Sequence, residues 1–251
     1  MLKRSALIAT LAVIAGTSAL HAHTFGSAEM SEVGDRICIQ SDATPNHEMG
    51  SFPNSGNPHH FRAQSVRYCV DATPERGTTA NYQIRTVGIA LNGVPIRPET
   101  ADWYDASRPR GMSRDSSSGW RLEGMGNAQA FGIDAEHAHV DHRGLYHYHA
   151  VSPSLVEDAS STLIGYAADG FEIHYFGSSA ASSWQLREGT RPTAPFGAYD
   201  GRFEQDYVFK AGSGDLDECN GATINGQFVY VATDTYPFFP RCLWGTPSSD
   251  F

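Results

Sequence analysis

One motif occurs twice in this chain, and it limits the fold more than any other feature. Gly88-Ile-Ala90-Leu-Asn92-Gly93-Val94-Pro-Ile96 is matched by Gly165-Tyr-Ala167-Ala-Asp169-Gly170-Phe171-Glu-Ile173 at glycine, alanine, Asn/Asp, glycine and isoleucine. Asn-Gly and Asp-Gly between short apolar runs are hairpin signals, because both turn residues tolerate the left-handed conformation that a tight β-turn needs. Downstream, Gly144-Leu-Tyr146-His-Tyr148-His-Ala150 is matched in the same order by Gly226-Gln-Phe228-Val-Tyr230-Val-Ala232. The pattern reads as two related halves, each a turn hairpin followed by a strand, with histidines in the first strand only.

The rest of the chain agrees with a mainly β protein. Short apolar and β-branched runs at Ile37–Ile39, Tyr82–Leu91, Leu163–Ala167, Phe171–Phe176 and Gln227–Ala232 alternate with Gly, Pro, Asn and Asp clusters. Helical periodicity is confined to short stretches near Pro153–Asp158 and Ser182–Arg187, while Glu99–Gly119 and Ser178–Ala198 are poor in apolar residues and read as long loops. With 251 residues, 40% of them hydrophobic, the chain is long enough for one compact domain with a sizeable core. The expected division is a leader over 1–22, an N-terminal segment over 23–80, and a β-rich domain over 81–251 with halves at about 81–160 and 161–245.

Lys3 and Arg4 precede an apolar run from Ser5 to Leu20, too short to span a bilayer and followed by small residues, as in a secretory signal peptide. Cleavage after Ala22 or Ala19 suits a signal peptidase, and the first would expose His23 as an N-terminal histidine able to grip a metal through amine and ring. The mature chain is then secreted, periplasmic or extracellular, and does not span a membrane. Removing Lys3 and Arg4 takes the formal charge from −10 to −12, which argues against nucleic-acid or anionic-membrane partners. Lys210 is then the only lysine, so phosphate-loop or Schiff-base chemistry has little to build on. Cys38, Cys69, Cys219 and Cys242 contain no C-x-x-C pair, and in an oxidising compartment two disulfides are the default. Proximity favours Cys38 with Cys69 and Cys219 with Cys242, although three connectivities are allowed.

The densest chemistry lies in one segment, where His137, His139, His142, His147 and His149 stand with Glu136 and Asp141. Residues two apart on a strand share a face, so His147 and His149 project together and Tyr146 and Tyr148 point the other way. The segment Asp141–Gly144 can fold back as a turn, which makes His139 the best third ligand, with His142 and Asp141 as substitutes. Imidazole donors suit zinc or copper rather than calcium or magnesium. His137, His174 in the second half, and His47, His59 and His60 in a turn-rich early loop are further candidates to close a site.

These residues resemble the YHYH protein family, whose Tyr-His-Tyr-His string stands here as Tyr146-His147-Tyr148-His149. The resemblance extends over Pro45-Asn-His47, Phe52-Pro53-Asn54, the two hairpin motifs, Tyr199-Asp200-Gly201, Gly214-Asp215-Leu-Asp217-Glu218-Cys219-Asn220-Gly221 and Tyr236-Pro237 to Cys242. It implies a secreted or surface domain of poorly defined activity, often with a second such string. It also implies a Cys-x-Gly-His element before each string and a cysteine after it. In the first half those positions are Glu136, His139 and Ser154, so both cysteines are lost together, as a disulfide pair would be. The second half keeps Cys219 and Cys242 but has Ala222 and Phe228-Val229-Tyr230-Val231 where the histidines would stand.

The leading reading is a secreted, disulfide-stabilised protein binding zinc or copper through His147, His149 and His139. An enzyme reading, an extracellular metal-dependent hydrolase or oxidase, requires an open coordination position in a cleft, with Glu136 or Asp141 moving protons. A third reading is a carbohydrate- or protein-binding module using exposed Trp103, Trp120, Trp184 or Trp244. No Gly-x-Ser-x-Gly elbow, His-Glu-x-x-His helix or phosphate loop occurs in the chain.

Overall fold

A computed structural model describes residues 24–25, 28–157 and 161–251. The leader, its cleavage sites and His23 lie outside these residues. In chain order the strands are β1 Thr24–Phe25, β2 Ala28–Val33, β3 Arg36–Ser41, β4 Val66–Asp71, β5 Gly88–Ala90, β6 Pro95–Ile96, β7 Glu99–Tyr104, β8 Met112–Ser113 and β9 Arg121–Glu123. They continue as β10 Ala138–Val140, β11 Tyr146–Tyr148, β12 Leu163–Ala167, β13 Glu172–Tyr175, β14 Trp184–Leu186, β15 Tyr207–Phe209, β16 Gly221–Ile224 and β17 Gln227–Ala232. Two short α-helices, α1 Ala128–Phe131 and α2 Pro153–Glu157, accompany them.

The centre of the molecule is an eight-stranded sheet in the order β10-β11-β6-β5-β12-β13-β17-β16. The two Gly-initiated motifs pair with each other in its middle, Gly165 opposite Ala90 and Ala167 opposite Gly88. Both glycines are required by close approach: a Cβ on Gly88 would stand 2.5 Å from the Tyr166 carbonyl oxygen, and one on Gly165 2.5 Å from that of Ile89. Each motif then turns back through the same hydrogen bonds. Ala90 N–H donates to Val94 O at 3.0 Å and Gly93 N–H to Ala90 O at 2.8 Å, as Ala167 N–H donates to Phe171 O at 2.8 Å and Gly170 N–H to Ala167 O at 2.9 Å. Outward from this pair the strands follow the same plan on both sides. Tyr148 of β11 lies parallel to Ile96 of β6, and Tyr230 of β17 parallel to Ile173 of β13. An antiparallel partner closes each edge, β10 against β11 and β16 against β17.

β5, β6 and β11 are buried along their whole length. Ala90, Ile96, Tyr146, Tyr148, Ile164, Ile173, Tyr230 and Leu243 form the main core. Ile89 and Tyr166 instead meet Ile39, Tyr68 and Val70, so the four-stranded sheet β1-β2-β3-β4 packs over the other side of β5 and β12. Disulfides join Cys38 to Cys69 across β3 and β4, and Cys219 to Cys242 beside the main core. Closing loops of 31 and 23 residues restricts the unfolded chain by about 3.5 kcal/mol each on loop-entropy arithmetic.

Two expected loops and one expected helix turn out differently. Glu99–Gly119 contributes β7 and β8, which with β9 make a three-stranded sheet in the order β8-β7-β9. Its residues are mostly half-buried, which explains its weak apolar signal. Ser182–Arg187 is no helix: Trp184–Leu186 is strand β14, paired antiparallel to β15, and it crosses the second expected loop. Of the run Tyr82–Leu91, only Gly88–Ala90 forms a strand.

Candidate metal centre

The β10–β11 hairpin places His139 directly opposite His147. Its turn is closed by Gly144 N–H donating to Asp141 O at 2.8 Å, with Asp141 Oδ1 capping the Arg143 and Leu145 amides at 2.8 and 3.1 Å. His149 follows two residues after His147 on the same face, its backbone N–H bonded to His137 O at 2.8 Å. The potential ligand atoms of His139, His147 and His149 all lie within 4.8 Å of one another. His147 and His149 are 5% and 1% exposed.

The tautomers follow from what each ring touches. Nδ1 of His139 lies 2.9 Å from the Phe131 carbonyl oxygen, Nδ1 of His147 3.1 Å from that of Leu145, and Nδ1 of His149 3.2 Å from that of Pro98. A carbonyl can only accept, so each Nδ1 carries the proton of a neutral ring and each Nε2 is left as a lone pair. Burial lowers the pKa of all three imidazoles, that of His147 and His149 well below the ordinary histidine value, which keeps the rings neutral. Nε2 of His139 and Nε2 of His149 nevertheless face each other at 3.2 Å. Two lone pairs at that distance repel unless a cation lies between them. Tetrahedral zinc at its usual distance from imidazole nitrogen separates its ligands by about 3.3 Å. The donor set therefore fits a transition metal held by three imidazoles, with the backbone fixing the far side of each ring.

Three chain segments outside the hairpin build this arrangement: α1 supplies the Phe131 carbonyl, the β6–β7 link supplies that of Pro98, and Gly124 packs on His149. A Cβ at Gly124 would lie 2.6 Å from His149 Nδ1. The triad opens into a cleft of about 760 Å³ walled by residues of β7, β8 and β9, the 56–59 loop and the 82–85 segment. His59 lines the cleft beside the triad. The sequence offered it only as one of several histidines in a turn-rich loop.

The other candidates stand elsewhere. His142 and Asp141 line the cleft outside the triad, and Asp141 is tied to Arg97 at 3.0 Å. His137 has a left-handed backbone and its Nδ1 is bonded to Val151 O at 2.6 Å. His174 bridges Thr162 and Glu172 on β13, at 2.9 and 2.8 Å. Glu136 binds Ser152 and Ser154 through its carboxylate, at 2.5 Å to Ser152 Oγ and 2.9 Å to Ser154 Oγ. The position read as a lost cysteine thus still touches its expected partner.

Tyr146 and Tyr148 point away from the triad into the core. Tyr146 donates to Asp134 at 2.8 Å, and Tyr148 donates to His47 Nε2 at 2.6 Å while accepting from Asn92 at 2.8 Å. His47 thus orients the back of the histidine strand. In the second half Tyr230 donates to Asp169 at 2.7 Å in the corresponding place. None of the four tryptophans forms an exposed platform: Trp120 is buried and Trp103, Trp184 and Trp244 are half-buried.

Residues 67–245 match the family model described as YHYH protein. No curated protein and no solved structure matches the chain.

Proposed function

The chain belongs to the YHYH family, and from the chemistry of its histidine hairpin we propose that it is a secreted protein binding zinc or copper through His139, His147 and His149. One observation carries this reading: the Nε2 lone pairs of His139 and His149 face each other at 3.2 Å while both Nδ1 atoms are committed to carbonyls. A metal held by these three imidazoles would keep room for a further ligand, and the cleft would give a small molecule access to it. That opening favours a metal-dependent extracellular hydrolase or oxidase over a closed structural site. When bound, the metal would supply a Lewis acid next to the cleft, and copper would add electron transfer. The residues of this chain orient the ligands and keep them neutral. The two disulfides agree with an oxidising compartment, and among the described residues no helix is long and apolar enough to cross a membrane. Matching registers on either side of the β5–β12 pair support reading 81–160 and 161–245 as related halves.

The test is elemental analysis of exported, tag-free protein beside the double variant His147→Ala with His149→Ala, after dialysis against trace zinc and copper. Near-stoichiometric metal in the natural protein and its loss in the variant is the expected result. No metal in either sinks the proposal.

A further inference from the structure

The chain is acidic overall, yet among the described residues Arg85, Arg97, Arg110, Arg114 and Arg121 line the cleft into which the triad opens, against the carboxylates of Glu99, Asp102 and Asp141. Three of these arginines are engaged. Arg97 is bound to Asp141 at 3.0 Å and to Thr86 at 2.9 Å, Arg121 pairs with Glu99, and Arg114 stands 3.5 Å from Asp102. The other two form no ion pair with a carboxylate among the described residues. Arg110 donates to the carbonyls of Gly56 and Ala130, which leaves its charge uncompensated. Arg85 is exposed and forms no ion pair among the described residues; its charged neighbours are Arg97, Arg114 and Arg143 against the single carboxylate of Asp141, which Arg97 already holds. Five guanidinium groups brought together against three carboxylates make a positive pocket in a negative protein. A bound divalent ion would add to the same sign. Field lines focused in such a cleft draw in anions, and guanidinium forks match carboxylate and phosphate oxygens. At about 760 Å³ the cleft suits a small molecule.

We propose that the cleft receives a small oxyanion-bearing substrate, a phosphate or carboxylate compound, held by Arg85 and by Arg114, whose long contact with Asp102 leaves its side chain 70% exposed, with its reacting end toward the triad. This rests on the metal reading for the direction of binding, but the arginine contribution can be measured without it.

Zinc-loaded and metal-free protein would be titrated calorimetrically with inorganic phosphate and with acetate, beside the variants Arg85→Gln and Arg114→Gln. Arg85 makes no hydrogen bond or ion pair in the fold, so its variant keeps the structure, which circular dichroism checks. The expected result is one anion bound per chain with at least tenfold weaker binding in each variant at unchanged zinc content. Binding undiminished in both variants would mean that the metal alone holds the anion, and overturns the proposal. So does failure of the zinc-loaded and metal-free forms to bind either anion. Arginine-dependent anion binding by a protein that takes up no metal would uphold this inference and defeat the metal reading.

Discussion

Replacing Gly124 by alanine adds one methyl group beside His149 and leaves the ligand set untouched. The backbone there is right-handed helical, with φ −61° and ψ −56°, so alanine carries no conformational penalty. Its Cβ would stand 2.6 Å from His149 Nδ1, 3.1 Å from Cγ and 3.3 Å from Cε1. An unstrained contact needs about 3.5 Å, so the ring or Gly124 must move by about 0.9 Å. The ring is 1% exposed and anchored to Pro98 O, so it can move only by losing that bond or by pushing Nε2 out of line. Metal–nitrogen distances tolerate about 0.2 Å. Disturbing an outer partner of a ligating histidine costs 10–100-fold in affinity, equivalent to about 1.4–2.7 kcal/mol. Competition against a chromophoric zinc chelator measures this directly, with urea denaturation alongside. A folded Gly124→Ala protein whose zinc affinity stays within twofold of the natural one would refute the claim that Gly124 and Pro98 position His149.

In the metal-free protein the folded-state pKa values of His147 and His149 are depressed by burial. Their contribution to stability is therefore complete above about pH 6.5 and falls as pH drops, because the unfolded imidazoles take up protons that the folded ones refuse. The loss reaches up to about 1.4 kcal/mol per histidine at pH 5.5, and imidazole NMR titration of the metal-free protein tests it; ring shifts of His147 and His149 that titrate near pH 6.5 would show that these rings are not buried and neutral. The buried Arg241 holds Glu123 at 2.9 Å and Glu204 at 3.0 Å, so Arg241→Met leaves buried Glu123 with only the Gly126 amide and Glu204 with Arg121 at 3.7 Å, and should cost about 3 kcal/mol; a loss under 1 kcal/mol in denaturant titration contradicts this. Reading Glu136 and Ser154 as a bridge lost from this chain predicts that the double variant Glu136→Cys with Ser154→Cys forms a third disulfide, visible as a two-dalton mass deficit and a new cross-linked peptide. Persistent free thiols after air oxidation would show that these positions are not a latent bridge.

Strands such as Leu163–Ala167 and Gln227–Ala232 were legible because they are apolar, β-branched and bounded by turn residues, so local pattern and tertiary burial point the same way. The histidine face was legible for the same reason: alternation along β11 and a short return through Asp141–Gly144 suffice to align His139, His147 and His149. β7 was not, since a strand that lines a polar cleft carries Glu99, Thr100 and Asp102 where a core strand would carry aliphatic residues. Nor did any local signal reveal Gly124, the Phe131 and Pro98 carbonyls, or the gathering of Arg85 with Arg97 and Arg114. Those contacts join segments far apart in sequence, and only the closed fold brings them together.

The insertion between β6 and β10 holds every strand of the small three-stranded sheet, whereas His147 is anchored by the central sheet to which its own hairpin belongs. The histidine strands and the cleft wall are thus separate pieces of chain, although the insertion also carries Pro98, Gly124 and Phe131, which back the imidazoles. Changes at Ala101, Asp102, Met112 or Arg114 alter the cleft wall away from the imidazoles, while changes at Gly124 or Phe131 reach the imidazole nitrogens themselves. If the proposed function holds, the 15 residues from Glu99 to Ser113 could be rewritten to suit a different ligand with the same three imidazoles kept.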